Sequence, residues 1–312
     1  MAPELGWRQR AEWVRGMLEG CFASGLGSTD RMEPRLGAAV ADILARPGSM
    51  MRATVCYLVG IEMGVAEAAA RALACGIEYL HTASLVFDDL PAMDDARTRR
   101  GAACVHVVHG EAVALLAALA LVNRGYAMLW QGLGGADARR RELAGWWVDA
   151  RLGTSGVIGG QAFDLRGWRA EQCAAEVSEV AARKTGELLR LTLALPAIIG
   201  CGSAREISLL DRLALLRGLA YQAADDLKDV HVHEPSHGKT GGRDEELGRP
   251  NMVAAEGLDA TIRRFYRLQQ MGDRVAAAVP GPPARWQMLE LLRVAVPAGV
   301  PETALASVPA AG

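Results

Sequence analysis

A chain of 312 residues with 51% hydrophobic composition can bury a large core, and its formal net charge of -2 gives no overall attraction to nucleic acid. Aromatic residues make up only 5%, while Ala, Leu and Arg are abundant, a balance that favours helices over sheets. The six cysteines, Cys21, Cys56, Cys75, Cys104, Cys173 and Cys201, form no C-x-x-C pair and keep no regular spacing, so they read as small buried residues of a reducing compartment.

The spacing predicts an amphipathic opening helix from Trp7 to Gly25, with Trp7, Trp13, Val14, Met17, Leu18 and Cys21 near one stripe. Glu4, Arg8, Arg10, Glu12 and Arg15 leave no apolar leader at this end, so no signal peptide is expected. A second helix runs from Glu33 to Leu44. Pro47 and Gly48 then break the chain before Arg52 enters an apolar helix from Ala53 to Gly64. A cation at a helix start opposes the macrodipole and makes sense where an anion is bound; standing alone, it reads as a surface arginine.

The next stretch organises the rest. Ala70, Leu73, Ile77, Leu80, Ser84 and Phe87 recur at helical spacing and deliver Asp88, Asp89 and Asp94 to the end of a buried helix, which Pro91 stops. Arg97, Arg99 and Arg100 follow at once. Buried carboxylates must meet cations, so a divalent metal or arginine is implied. Downstream, His109 to Trp130 is apolar nearly all round, as expected of a helix through the middle of a bundle, and Gly132 to Asp137 reads as a turn. The longest apolar runs, Ala112 to Val122 and Leu191 to Cys201, fall short of a membrane span, and a soluble, cytoplasmic protein is expected.

Gly153 to Leu165 is rich in small residues before Gln161 and Asp164; no G-K-[ST] follows, so close helix packing beside a site is the reading, not a phosphate loop. Lys184 and Thr185 enter another buried helix together, either as a phosphate-facing pair or with an ordinary snorkelling lysine. In GLAYQAADDLKDV, Gly218 to Val230, Asp225 and Asp229 are i and i+4 and share one helical face, a spacing that suits Mg²⁺ held jointly with phosphate oxygens. Either acidic run alone would equally be a solvated face. A polar, Gly-rich loop follows with Lys239, Arg243, Asp244 and Arg249. His231, His233 and His237 lack the cysteines or the H-E-x-x-H spacing of a zinc site. The tail from Ala254 is helical and ends in a Pro/Ala stretch expected to fray. No linker separates the two acidic motifs, so residues 1–312 read as one helical domain.

These residues resemble the trans-type isoprenyl diphosphate synthases, in particular the short-chain branch making geranylgeranyl diphosphate for carotenoids in proteobacteria. The resemblance lies in DDLPAMD at Asp88 to Asp94 with Arg99 and Arg100, G-G-Q at Gly159 to Gln161, Lys184-Thr185, Y-Q-x-x-DD-x-x-D at Tyr221 to Asp229, and the G-K loop at Lys239, in the family's order within residues 44–253. It implies an all-α fold, a single large helical bundle of the isoprenoid synthase type with a deep central cavity and the two Asp-rich helices facing across its mouth. By the same resemblance Asp88, Asp94, Asp225 and Asp229 would hold Mg²⁺, three ions once an allylic diphosphate is bound, with Asp89 and Asp226 in support. Arg99, Lys184 and Lys239 would bind that diphosphate, and Thr185 and Gln222 would sit beside the reacting carbons. Arg52, His81 and Arg100 would hold isopentenyl diphosphate. Ala83 and Ser84 stand where a large aromatic limits the product to fifteen carbons in other members, so small residues there imply a twenty-carbon product. The family is usually homodimeric.

Two departures accompany the match. Ser49, in Pro47 to Arg52, replaces the lysine of the family's G-G-K-x-x-R, and Ala117 to Val122 loses the Gly and Asp of A-G-D-A-L-L. A lost charge-assisted contact at Ser49 would weaken the second diphosphate site by about 1.5–3 kcal/mol unless another cation compensates. Two other readings therefore stand beside the synthase: a terpene cyclase acting without isopentenyl diphosphate, and a non-catalytic subunit of a heteromeric synthase.

Overall fold

The structure is a computed structural model, and it describes residues 6–27, 31–166, 173–231, 249–297 and 300. Among the described residues the regular structure is helical apart from one two-residue hairpin, in which Thr98–Arg99 (β1) pairs antiparallel with Ala102–Ala103 (β2). The described residues fall into two compact units. The first holds those up to Ala144 together with Leu195–Gly202; the second holds those of Gly145–Ala194 and those from Ser203 onward.

The first unit contains α1 (Trp7–Ser24), α2 (Pro34–Leu44), α3 (Met51–Glu62), α4 (Glu67–Asp88), α5 (Val105–His109), α6 (Glu111–Leu133) and the start of α7 (Ala138–Leu152). Its core is α4, which packs against α6 and α3 and buries Ala70, Leu73, Ile77 and Leu80 as the period requires. The crossing with α6 is close because it is glycine on glycine: a Cβ on Gly76 would stand 3.0 Å from the Gly125 carbonyl oxygen, and one on Gly125 3.2 Å from that of Gly76. At the far end Phe22 stacks on Tyr79, whose hydroxyl donates to the Phe22 carbonyl at 2.5 Å.

Three expectations shift here. The third helix begins at Met51, so Arg52 lies inside its first turn. The stretch from His109 to Trp130 is broken at Gly110, where φ is +84°; α5 ends before it and α6 starts after it. Nor is α6 buried all round, since Leu116 and Leu119 are each 55% exposed and Trp130 60%. With 23 residues and an 18-residue window of mean hydropathy 1.7, α6 is also long and apolar enough to cross a membrane by length and composition. Asn123 and Arg124 end the uninterrupted apolar run near Val122, but they do not end the helix.

The second unit contains the rest of α7, α8 (Val157–Leu165), α9 (Ala174–Ala181), a π-helical turn (Ala182–Gly186), most of α10 (Glu187–Ile199), α11 (Ala204–His231), α12 (Met252–Glu256), α13 (Leu258–Ala278) and a 3₁₀ segment (Pro283–Leu292). Its core packs Ala220, Ala223, Ala224 and Leu227 of α11 against Ile262, Phe265 and Tyr266 of α13, small residues on one helix admitting large ones from the other. Beside it Arg151 and Arg190 share Glu187 and Asp211, with contacts of 2.6 Å from Arg151 to Glu187 and 2.5 Å from Arg190 to Asp211. Two guanidiniums and two carboxylates balance, which lets α7, α10 and α11 meet over charge. All six cysteines are free; Cys56, Cys75 and Cys104 are buried, and burial pushes the Cys75 thiol up to about 12. Cys173 and Cys201 are exposed, against the expectation of burial.

Candidate functional site

The first acidic motif is built by the end of α4. Asp88 is its last residue and Asp89 its cap, and the chain then folds back so that the Asp94 N–H donates to the Asp88 carbonyl at 2.9 Å and the Ala96 N–H to that of Asp89 at 3.1 Å. Asp88 and Asp94 are thus fixed on one small loop, both half-buried. Asp89 is different: it is only 4% exposed, and Arg99 on β1 donates to both its oxygens, at 2.7 and 2.8 Å through Nε and 2.6 Å through Nη2. Burial disfavours the Arg99 charge, but the hydrogen bonds and charge of Asp89 outweigh it and raise the guanidinium pKa. Asp89, expected in support of the metal, and Arg99, expected on the diphosphate, are instead found paired with each other, acid on cation.

The same unit assembles Arg52, His81 and Arg100. Arg52 Nη1 lies 3.1 Å from His81 Nε2. Arginine only donates, so Nε2 accepts and the imidazole carries its proton on Nδ1. Burial first, then the fields of Arg52, Arg100 and Arg99, holds the His81 pKa well below its ordinary value, so the ring is neutral at pH 7. With Arg99 already paired to Asp89, the neutral imidazole beside Arg52 and Arg100 leaves a positive site that an anion would complete. Arg100 sits at φ +54° and lays its guanidinium over the Cα of Gly48, itself at φ +73°. Ser49, in the place of the family lysine, is exposed beside it.

Sequence reasoning passed over Glu78. It is 2% exposed on α4, three residues before His81, and its buried Oε2 has no hydrogen-bond partner. Its spacing from His81 on an otherwise apolar helix was the available signal. Ala83 is buried on the same helix, and the half-buried Ser84 turns its hydroxyl to the His81 carbonyl at 2.8 Å.

In the second unit, Lys184 and Thr185 lie on the π-helical turn, a local widening that interrupts the regular backbone pattern. The small residues of α8 press against it, and a Cβ on Gly160 would stand 2.5 Å from the Lys184 nitrogen, as the close-packing expectation required. Lys184 Nζ meets Asp164 Oδ2 at 2.5 Å, and Arg249 Nη1 donates to the Asp164 carbonyl at 3.0 Å. Asp164 and Arg249 were not among the expected site residues. From the turn a relay crosses to α11: Thr185 donates to Gln222 Oε1 at 3.1 Å, and Gln222 Nε2 to Asp226 Oδ1 at 2.8 Å. The other oxygen of Asp226, a residue 1% exposed, accepts the Met252 N–H at 2.7 Å and so holds the start of α12. Asp225 and Asp229 are half-buried, one helical turn apart on α11. Lys239, His233, His237, Arg243 and Asp244 lie outside the described residues, as does the His231 side chain.

Among the described residues no three His, Cys, Asp or Glu side chains converge to hold a metal by themselves. Mg²⁺ needs no such cage, since it keeps waters and takes one or two carboxylates together with substrate phosphates. The pairs Asp88 with Asp94 and Asp225 with Asp229, hard oxygen donors at half-buried positions, fit that ion.

The family model for polyprenyl synthetase matches residues 33–277. The chain belongs to that family. Among curated relatives, geranylgeranyl pyrophosphate synthase 9 of Arabidopsis thaliana is 33% identical over 252 residues, covering 78% of this chain and 70% of the relative. Among solved structures, an FPP/GFPP synthase from Zymomonas mobilis superposes with a TM-score of 0.75 at 25% identity, covering 92% of this polyprenyl synthetase and 95% of its own chain. A geranyltransferase from Helicobacter pylori, complexed with magnesium and isoprenyl diphosphate, gives 0.77 at 23% identity over 94% and 97% of the two chains, a likeness of fold. The all-α isoprenoid synthase fold follows for the polyprenyl synthetase described above.

Proposed function

We propose that this polyprenyl synthetase condenses isopentenyl diphosphate with dimethylallyl, geranyl or farnesyl diphosphate, in the presence of Mg²⁺, to give geranylgeranyl diphosphate. The observation that carries the reading is the cluster of Arg52, neutral His81 and Arg100 on the same unit as Asp88 and Asp94, which supplies a second anion site beside an acidic one. The relatives that are geranylgeranyl pyrophosphate synthases support the substrate class. A cyclase has no use for the Arg52–His81–Arg100 site, and a non-catalytic subunit has no use for all of Asp88, Asp94, Asp225 and Asp229.

Mg²⁺ on Asp88, Asp94, Asp225 and Asp229 would neutralise the diphosphate of the allylic substrate and favour its departure; three ions are proposed. Lys184, swung from Asp164, with Lys239, would bind that leaving group. Arg99 would support the same end of the site through Asp89. The backbone and hydroxyl at Thr185, with the Gln222 amide, would face the allylic cation as it forms, and an apolar wall would keep water from it. Arg52, Arg100 and the Nδ1–H of His81 would hold isopentenyl diphosphate while its double bond attacks. The proton lost afterwards goes to the departed diphosphate, so no side-chain base is required.

Ala83 and Ser84, both small, leave room below Asp88 for a twenty-carbon chain, the product the carotenoid branch uses. The family model runs through both units, which supports one synthase domain over residues 1–312. A homodimer is proposed, with the exposed stripe Leu115, Leu119, Tyr126 and Trp130 on α6 covered by a second copy. A cytoplasmic location accords with diphosphate substrates. The reading is tested by incubating the purified protein with Mg²⁺, isopentenyl diphosphate and each allylic diphosphate separately and identifying products by mass spectrometry. A twenty-carbon diphosphate from all three is expected. Hydrocarbon or alcohol formed without isopentenyl diphosphate would replace the synthase with a cyclase.

A further inference from the structure

Where the end of α1, the start of α4 and the last turns of α6 meet, a cavity of about 240 Å³ opens to solvent, many times the room one water needs. Arg71 of α4 and Arg124 of α6 both line it, with Ser24 and Gln131 adding a hydroxyl and an amide and Cys21 a thiol. None of the residues that line it is acidic.

Two positive charges therefore share a wall, and neither has a firm counter-charge. Arg124 is half-buried, its Nε is shut from water without a hydrogen-bond partner, and among the described residues no carboxylate pairs with it. Arg71 has only Glu67, 3.9 Å away with a side chain 62% exposed, and so exposed a pair contributes little. The buried Cys75 registers both cations: burial raises its thiol pKa, and the fields of Arg71 and Arg124 together oppose that rise. A guanidinium left without an acceptor in such a place is costly, and its planar fork of donors matches phosphate oxygens.

The location separates this cavity from the site described above. Asp88 is 88 − 71 = 17 residues from Arg71 on the same helix, about 25 Å at 1.5 Å per residue. A second copy covering the exposed stripe of α6 would leave the cavity open, since Leu115, Leu119, Tyr126 and Trp130 lie about 120–180° round the helix from Arg124. We propose that the cavity is a binding site for a phosphate-type anion, held by the guanidiniums of Arg71 and Arg124 and bridging α4 to α6 at the end of the unit remote from the acidic motif. Inorganic phosphate, inorganic diphosphate and the headgroup of a prenyl diphosphate share that chemistry. The site stands whichever reaction the acidic motifs perform.

The test follows alkylation of Cys21 in the full chain by peptide mass spectrometry, with a chelator and no Mg²⁺, so that the acidic motifs hold no metal-bound diphosphate. Inorganic phosphate, inorganic diphosphate and geranyl diphosphate are each titrated against potassium chloride of equal ionic strength. At ten times the dissociation constant, an anion in the cavity should slow Cys21 about tenfold, while the exposed Cys173 and Cys201 keep their rates. Arg124→Met or Arg71→Met should raise the half-protecting concentration by about tenfold or more, and Arg124→Lys should raise it less. Thermal unfolding in the same titrations gives a second readout, an anion-dependent rise in midpoint that shrinks in both methionine variants. Protection by the inorganic anions makes the free ion the ligand, and protection by geranyl diphosphate alone makes it the headgroup. The proposal is overturned if no anion protects Cys21 beyond chloride, or if protection is equal in wild type and both methionine variants. Should Arg124→Met not fold, Arg71→Met decides on the same criterion, since its side chain is 40% exposed.

Discussion

Gly48→Ala is the substitution that best isolates the proposed second diphosphate site. Two costs are set by the structure. Gly48 sits at φ +73°, and an alanine there is strained by about 1–2 kcal/mol. Its Cβ would also stand 2.5 Å from Arg100 Nη2 and nearer still to Nη1 and Cζ, so the guanidinium must leave its seat. Arg100 is exposed and can do so without unfolding anything. The fold therefore loses only the strain, while the site loses one charge-assisted contact, about 1.5–3 kcal/mol.

That difference converts to a rise of about 10- to 150-fold in the KM for isopentenyl diphosphate. The KM for geranyl diphosphate should stay within about threefold, because Asp88, Asp94 and Lys184 are untouched. The assay varies each substrate at saturation of the other, with chemical denaturation as the control. If the isopentenyl diphosphate KM does not move while stability falls by the strain alone, Arg100 is not held for substrate and the site has been misread. If both KM values rise equally, the damage is general and the reasoning also fails.

Ser84→Phe should shorten the main product from twenty to fifteen carbons in a mass-spectrometric product assay, and an unchanged twenty-carbon product would place the floor elsewhere. Asp226→Ala orphans the buried Met252 N–H and releases the half-buried Gln222 amide, so urea denaturation should show a loss of about 1–3 kcal/mol for the buried donor, with Asp226→Asn losing less. The His81 pKa is depressed, so between its folded value and about 6.5 the unfolded chain binds a proton the folded chain refuses, and stability falls as pH drops through that window by up to about 1.4 kcal/mol per unit. Glu78, raised above the usual carboxylate range, acts in the opposite sense above its unfolded pKa, so the comparison is His81→Gln against wild type: the variant should lose less stability between about pH 7.5 and about pH 5.5, and equal losses would mean that His81 is not held neutral.

What could be read from the chain alone followed from locality. The period from Ala70 to Phe87 places α4, the i, i+4 spacing places Asp225 and Asp229 on one face of α11, and the small residues around Gly160 foretell close packing. Contacts between distant segments were out of reach. Nothing local says that Lys184 lies on Asp164 or that Asp226 holds the Met252 N–H, because each joins elements that only the fold brings together. Apolar sequence on α6 signals burial, but it does not say whether the covering surface belongs to this chain. Hence the expectation of a helix buried all round failed on Leu116, Leu119 and Trp130. At Gly110 a glycine inside an apolar run looks tolerable in a helix, yet its φ of +84° ends one helix and starts another.

The paired aspartates have a common logic in both motifs. Successive residues on a helix point about 100° apart, so two adjacent carboxylates cannot serve one face. In α11 the outer positions go to Asp225 and Asp229, and Asp226 is turned inward; at the end of α4 Asp88 and Asp94 stay half-buried and Asp89 is turned inward. An inward carboxylate is costly unless donors meet it, and each has them: Arg99 for Asp89, the Met252 N–H and Gln222 for Asp226. One acid of each pair is thus scaffold, and its half-buried neighbour is the one proposed to meet cations. Neutralising the inward member should register first in stability, and neutralising the outward one first in Mg²⁺ dependence and turnover.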